Sequence, residues 1–544
     1  MAVILESLSV KQLIALGLGI VVILCAFFIA GGKIAPSPTN AMLHTAHICH
    51  TKNQEAAQEP WTCAHLDNLD QAREKGITPH EIVFAIQFPH PGLEMSRWHQ
   101  FIVASVKLDV RHDPSFPYRT KDDKHGYPVW TFEASLFYKD KNDTLGGWKL
   151  MARSLEDREL VCHYKESKSN RDGGYYDCED IPFFEIGSVY HEYYLVNLRL
   201  PVHRSKNRHI GPVSELHFVE IHQNGGFTRV WFTMKTIVSP ISIILLLWFA
   251  KRVKNLSREP VLLEKTLFLL GVVTAFLNLP IEWFTLWVDM PFMLLLTDVR
   301  QGLFYAMLMC FWIIFTGEHL LDQSERNRLK VYWRQVGAIA FGGACLLVFD
   351  LCERGYQLKN PFFSIWATKL GNDLAYAFII CAAVCACVYF LFLCVLVIKV
   401  FWNIRGKRAT FKNMSRARRL NYEGLIYRFE FLMVVTLLCA GLTVVFFIIS
   451  NVNEAHWKFG SEESTVEISS ALFTGVYGMW NVYVMSIMFL YAPTTSDRYQ
   501  ASFDGNRETV ELTGAADPVS GAKESIVYSM AGKNGARITQ TQFN

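Results

Sequence analysis

Two periodicities of apolar residues divide this chain. Eight long, nearly continuous apolar runs occupy roughly 12–32, 231–250, 266–287, 299–317, 334–351, 374–401, 429–450 and 468–491. Each reaches the length of about 18 residues that an α-helix needs to cross a bilayer. Between the first two runs the pattern changes. In HEIVFAIQF (80–88), FIVASVKLDV (101–110), WTFEASLFY (130–138) and YYLVNLRLPV (193–202), apolar residues alternate with polar or small ones. Period-two alternation marks half-buried strands, and Pro, Gly and Asp clusters between them predict an antiparallel sandwich of about seven or eight strands. The predicted fold is a polytopic α-helical membrane protein with eight spans. A short segment, 1–11, leads into a first span at 12–32. An inserted β-sandwich domain follows over 33–230, then a seven-helix, receptor-like bundle over 231–491. From 492 to 544 the chain turns rich in Ser, Thr, Gly and Ala, which predicts a disordered tail.

Composition agrees: hydrophobic residues make up 51% of the chain and charged residues 19%. The first run has an apolar core, Leu13 to Ala30, longer than the 7–15 residues of a signal peptide, so it reads as a retained span. Lys and Arg in short loops set the orientation. The loop 402–428 carries Arg405, Lys407, Arg408, Lys412, Arg416, Arg418, Arg419 and Arg428 against a single acid, Glu423. The loop 251–265 is also basic, whereas 451–467 holds one Lys and four Glu. Both termini are therefore expected in the cytosol and 33–230 in the lumen. Cys49, Cys63, Cys162 and Cys178 lie in that segment, and an even number in an oxidising compartment predicts disulfides. Of the three connectivities, Cys49–Cys63 with Cys162–Cys178 is the simplest. Asn142–Asp143–Thr144 is a glycosylation sequon on the same side.

Candidate chemistry is sparse. Glu282, in LNLPIEWF (277–284), falls inside a span, where a carboxylate costs a few kcal/mol unless paired or wetted. Asp298 and Arg300 are the expected partners. The cluster reads either as the polar lining of a cavity open to the lumen or as an interhelical hydrogen bond. Cys381, Cys385, Cys387 and Cys394 crowd one span as small apolar filler, without a metal-site array. Fifteen of the 17 histidines lie between 44 and 222, a distribution that fits either a pH response or scattered surface polarity. Tyr422 with Leu425 forms a Tyr-x-x-Φ pattern, read either as an interfacial aromatic or as an extended segment seated on a clathrin adaptor. No catalytic motif, cofactor motif or nucleic-acid-binding pattern is visible, so no enzyme is expected.

Several runs carry a resemblance: EMSRWHQF (94–101), IHQNGGFTRVWF (221–232), EPVLLEK (259–265), DVRQGLFYAML (298–308), CERGYQLKNPFFSIW (352–366), YEGLIYRF (422–429) and FTGVYGMWNVYV (473–484). Over about residues 1–495 the chain resembles the Wntless family of Wnt cargo receptors. The resemblance implies a receptor that binds acylated Wnt proteins in the endoplasmic reticulum and escorts them through the Golgi to the cell surface. It further implies return through endosomes by clathrin endocytosis and retromer. The acyl chain is expected inside the helical bundle, with Glu282, Asp298 and Arg300 near the mouth and Phe304, Tyr305 and Leu308 as candidate lining. Tyr422 and Leu425 match the family's endocytic signal, read by the adaptor's medium subunit. The alternative is a seven-helix signalling receptor with a β-sandwich ectodomain.

Overall fold

The computed structural model describes residues 3–494 apart from 52–62, 68, 113–127, 144–146, 166–173, 203–205, 208–209, 211–212, 257, 321–326, 366–368, 411–415 and 460–469. All but the first few residues of the expected tail, from 495 on, lie outside the described residues.

The alternating segments form strands. In chain order these are β1 (Thr39–Thr45), β2 (His47–His50), β3 (Ala64–His65), β4 (Ile82–Phe88), β5 (Ile102–Arg111), β6 (Val129–Lys139), β7 (Lys149–Glu159), β8 (Cys162–Lys165), β9 (Tyr175–Cys178), β10 (Ile181–Ile186), β11 (Tyr193–Arg199) and β12 (Val213–Gln223). They build two antiparallel sheets, one ordered β1-β12-β5-β9-β8 with β10 also on β5, the other β3-β2-β4-β11-β6-β7. Phe84, Ile86 and Phe88 of one sheet meet Val106, Leu108 and Phe218 of the other in a closed core. There are more strands than the alternation predicts because β2, β3, β8 and β9 have four residues or fewer, too short to show a period. Disulfides hold these short pieces. Cys49 joins Cys63 across 14 residues and Cys162 joins Cys178 across 16, each restricting the unfolded chain by roughly 3 kcal/mol.

The helices are α1 (Ile4–Ser7), α2 (Val10–Ile29), α3 (Leu69–Glu74), α4 (Gly225–Lys254), α5 (Leu262–Asn278), α6 (Met293–Leu320), α7 (Trp333–Gln357), α8 (Lys369–Thr410), α9 (Arg416–Phe459) and α10 (Ser470–Leu490). Eight are long and apolar enough to cross a membrane. Strand β12 runs into α4 with Asn224 as the only linker; its side chain caps the helix by accepting from Gly226 N. The sandwich therefore sits on the bundle without slack. The span expected at 266–287 is broken: α5 stops at Asn278, because Pro280 has no N–H to continue it, and 281–286 form a 3₁₀ turn. Helices α8 and α9, at 42 and 44 residues, are twice the length a bilayer needs. They consume most of the loop expected over 402–428.

Three further contacts fix the arrangement. Helix α2 lies against α10, with Phe28 over Gly475 and Phe27 over Gly478, where any Cβ would collide with the rings. At the end of the bundle away from the sandwich, α1 tucks in Val3 and Leu5, both buried. Ile4 N donates to Ala492 O at 3.1 Å, and Arg428 Nη1 to Leu5 O at 2.9 Å. At the sandwich end, the turn after α7 inserts Phe362 into the sandwich core, against Phe183 and Phe184. Glu185 N donates to Pro361 O and Arg158 Nη2 to Phe362 O, and Arg354 of α7 pairs with Glu185. Helix α7 is otherwise peripheral, with its apolar mid-section unburied.

Candidate functional site

The break in α5 creates the site. A helix that ends inside a membrane leaves its last carbonyls without intrahelical donors, and these need a partner in a low-dielectric setting. Arg300, projecting from α6, supplies it: its Nη2 donates to Leu277 O at 2.6 Å and to Leu279 O at 2.8 Å. The 3₁₀ turn then brings Glu282 under the guanidinium, with Glu282 Oε1 3.2 Å from Arg300 Nη1. Lys235 of α4 approaches the same carboxylate oxygen from the other side, at 2.5 Å. All three are nearly inaccessible, at 3% for Lys235, 5% for Glu282 and 1% for Arg300. Two cations against one anion leave a surplus positive charge. Among the described residues, Glu282 Oε2 and Arg300 Nε have no hydrogen-bond partner.

Polar neighbours extend the cluster. Asn278, the last residue of α5, donates to Asn481 Oδ1 at 2.5 Å and accepts from Tyr477 OH at 2.7 Å, tying α5 to α10. Above it, Thr285 Oγ1 donates to Glu282 O at 2.7 Å and lies 3.1 Å from Gln100 Oε1 of the sandwich. Gln100 holds a positive φ of 50°, a conformation that costs a non-glycine residue about 1 kcal/mol or more and is retained only where surroundings impose it. The cluster thus sits directly beneath the seam between sandwich and bundle.

The structure brings Glu282 and Arg300 together but not Asp298. That carboxylate is one-third exposed and faces Arg354 Nε of α7 at 3.6 Å, so it belongs to the docking of α7. Lys235 was missed in the sequence because it lies near the start of its run, where a lysine reads as an interfacial flank. The fact that β12 continues into α4 moves that residue into the helix and under the sandwich. Phe304 and Leu308 are fully buried in packed core with Trp480, not at an open surface. Tyr305 is half-buried, edge-on to Trp480 at 5.1 Å, with its OH accepting from Gln301 Nε2. Open space on α6 begins beside it, where Leu303 is 48% exposed and a Cβ on Gly302 would touch nothing.

Asn142 is exposed in the turn after β6, and Thr144 of its sequon lies outside the described residues. The run from Tyr422 to Leu425 is helical, near the start of α9, where an extended segment was expected. Helical propensity explains this, since RARRLNYEGLIYRF has no proline and only one glycine to interrupt α9.

Comparison with known proteins covers nearly the whole chain. A family profile described as "Wntless, GOLD domain" matches residues 44–223, and one described as "Wntless-like, transmembrane domain" matches 224–495. The boundary between them coincides with the β12–α4 junction. "Protein wntless homolog" of Gallus gallus is 46% identical over 545 residues, spanning 97% of this chain and 98% of the relative. The Homo sapiens homolog is 45% identical with the same coverage. "Protein wntless" of Drosophila grimshawi is 42% identical over 508 residues, or 90% and 89% of the two chains.

Proposed function

The chain belongs to the Wntless family, a multi-pass membrane family that serves Wnt secretion, and on that premise we propose that it is a cargo receptor for acylated Wnt proteins. The observation that carries the reading is the buried Lys235–Glu282–Arg300 cluster, with its surplus positive charge and unpaired Arg300 Nε, at the sandwich end of an apolar bundle. An acyl chain esterified to a protein has two chemical parts. The hydrocarbon favours an apolar enclosure by about 0.8 kcal/mol per buried CH₂. The ester carbonyl, once dehydrated, needs a donor. Arg300 Nε is such a donor, and the open face of α6 at Gly302, Leu303 and Tyr305 offers apolar room beside it. Phe304 and Leu308 lie one layer deeper and would line the chain only after repacking.

The cluster lies beneath the seam through which a cargo segment from the lumen would pass, so the sandwich and the bundle would grip protein and lipid respectively. After delivery, clathrin endocytosis through Tyr422 and Leu425, followed by retromer retrieval, would return the receptor through endosomes and the Golgi. The signalling alternative is disfavoured by α1. Val3 and Leu5 occupy the bundle's far end, where a signalling partner would insert.

The test is a detergent pull-down with co-expressed Wnt, comparing the wild type with a variant whose acylated serine is alanine. Co-purification of the acylated form alone is the expected result. Equal recovery of both would move recognition to the sandwich and remove the lipid role from the bundle.

A further inference from the structure

A second site lies at the rim of the seam and shares no residue with the charge cluster. There a groove of about 430 Å³ opens between the Glu94–Trp98 segment, Tyr190 and Glu192 of the sandwich, and Leu286 of the bundle. Its height relative to the bilayer follows from the segment that forms its floor. Between α5 and α6, Phe284, Trp287, Val288 and Phe292 are 56%, 63%, 56% and 46% exposed, while Glu282 and Thr285 face inward. Four large apolar side chains, one before Leu286 and three after it, are stable only against lipid at this position. Aromatic residues at the end of spans mark the boundary between hydrocarbon and headgroups. The floor of the groove is therefore at headgroup level, in the leaflet on the sandwich side.

The upper wall is charged in both senses. Arg97 lies with its guanidinium carbon 3.9 Å from the Tyr190 ring centroid and donates from Nε to Tyr190 O and from Nη1 to Leu286 O. Its Nη2 has no protein acceptor among the described residues. Glu94 is held by Lys141 at 2.7 Å and accepts from Tyr193 OH at 3.2 Å, and Glu192 adds a second carboxylate. A guanidinium suits a phosphate, whereas carboxylates beside aromatic faces suit an ammonium. A purely anionic headgroup would meet Glu94 and Glu192, and a purely cationic ligand would meet Arg97.

We propose that this groove binds the headgroup of a zwitterionic phospholipid. The phosphate sits on Arg97, the ammonium lies toward Glu192, and the acyl chains descend past Leu286 and Trp287. The lipid then seals the rim of the seam between sandwich and bundle, independently of what cargo the bundle carries.

The test uses the full-length protein in nanodiscs of dioleoylphosphatidylcholine carrying a trace of phosphatidylcholine with a photoreactive headgroup. Irradiation and peptide mapping should give adducts within 94–98 and 190–192. Replacing most of the dioleoylphosphatidylcholine with dioleoylphosphatidylglycerol at constant probe should raise the labelling, because the competing zwitterionic lipid is removed. Arg97→Gln should lower the yield at least fivefold. Leu286→Trp, which fills the groove without removing a polar group, should do the same and guards against misfolding of the first variant. Adducts elsewhere only, or an unchanged yield in both variants, would overturn the site. Equal competition by phosphatidylglycerol would overturn the zwitterionic assignment.

Discussion

Replacing Glu282 by glutamine removes one negative charge from between two cations and little else. In the wild type that carboxylate oxygen lies 2.5 Å from Lys235 Nζ and 3.2 Å from Arg300 Nη1, with all three residues at most 5% exposed. At an effective dielectric near 20, each attraction is worth about 4 kcal/mol at a charge separation of about 4 Å. The variant loses both and leaves Lys235 and Arg300 repelling each other. Part of that returns if Lys235 sheds its proton. Breaking a buried pair by removing one partner costs about 3–5 kcal/mol in measured cases. The expected change is a fall of roughly 5–10 °C in the unfolding midpoint. It can be read in detergent by the exposure of buried Cys310 and Cys439 to a thiol-reactive dye. The double variant Lys235→Met/Glu282→Gln provides the control. It removes the pair together and leaves Arg300 on its two carbonyls, so it should recover most of the loss. A single variant within about 1 °C of wild type, or a double variant no better than the single, would refute the reasoning.

Three more expectations can be checked. Burial, with His222 alongside, lowers His99 from its ordinary value to about 4. Below pH 6.5 the unfolded chain takes up this proton before the folded one does, so stability is lost as pH falls from 6.5 toward 4. The loss is about 1 kcal/mol by pH 5.5 after discounting for partial exposure, and His99→Gln should flatten that slope in thermal unfolding at two pH values. Phe362→Ala should cost about 3–5 kcal/mol at the sandwich–α7 contact, read as faster proteolysis of the turn after α7 with the disulfide-held sheets intact. Tyr422→Ala should accumulate at the cell surface while still binding cargo; unchanged surface density would return the residue to a structural role.

How much of this was legible in the sequence depends on the range of the forces involved. The eight spans and the central strands follow from local periodicity, and the disulfide-bearing segments from composition. What could not be read is set by contacts distant in sequence. Phe362 looks like a lipid-facing or loop aromatic until the sandwich closes over it. Asp298 was expected beside Glu282 because it flanks the entrance of the following span. The geometry of α7 gives it Arg354 instead, and only the turn of α4 relative to the 3₁₀ segment makes Lys235 the true neighbour. The packed state of Phe304 and Leu308 is likewise a property of several helices meeting, invisible in the pattern of any one of them.

The helical start of α9 bears on how the proposed return journey would be timed. An adaptor that takes a tyrosine and a leucine from an extended strand meets, at 422–425, two residues on one helical turn. Arg428, six residues on from Tyr422, is fastened to the carbonyls of Leu5 and Glu6. If Tyr422 and Leu425 serve as the proposed endocytic signal, it would be readable only during the fraction of time in which that end of the helix is frayed, with an apparent affinity equal to the intrinsic one reduced by that fraction. On that proposal, surface residence would be governed by a local melting equilibrium as much as by the motif's spelling. Two receptors with identical tyrosine signals could leave the plasma membrane at different speeds, according to how firmly each holds its N-terminal turn.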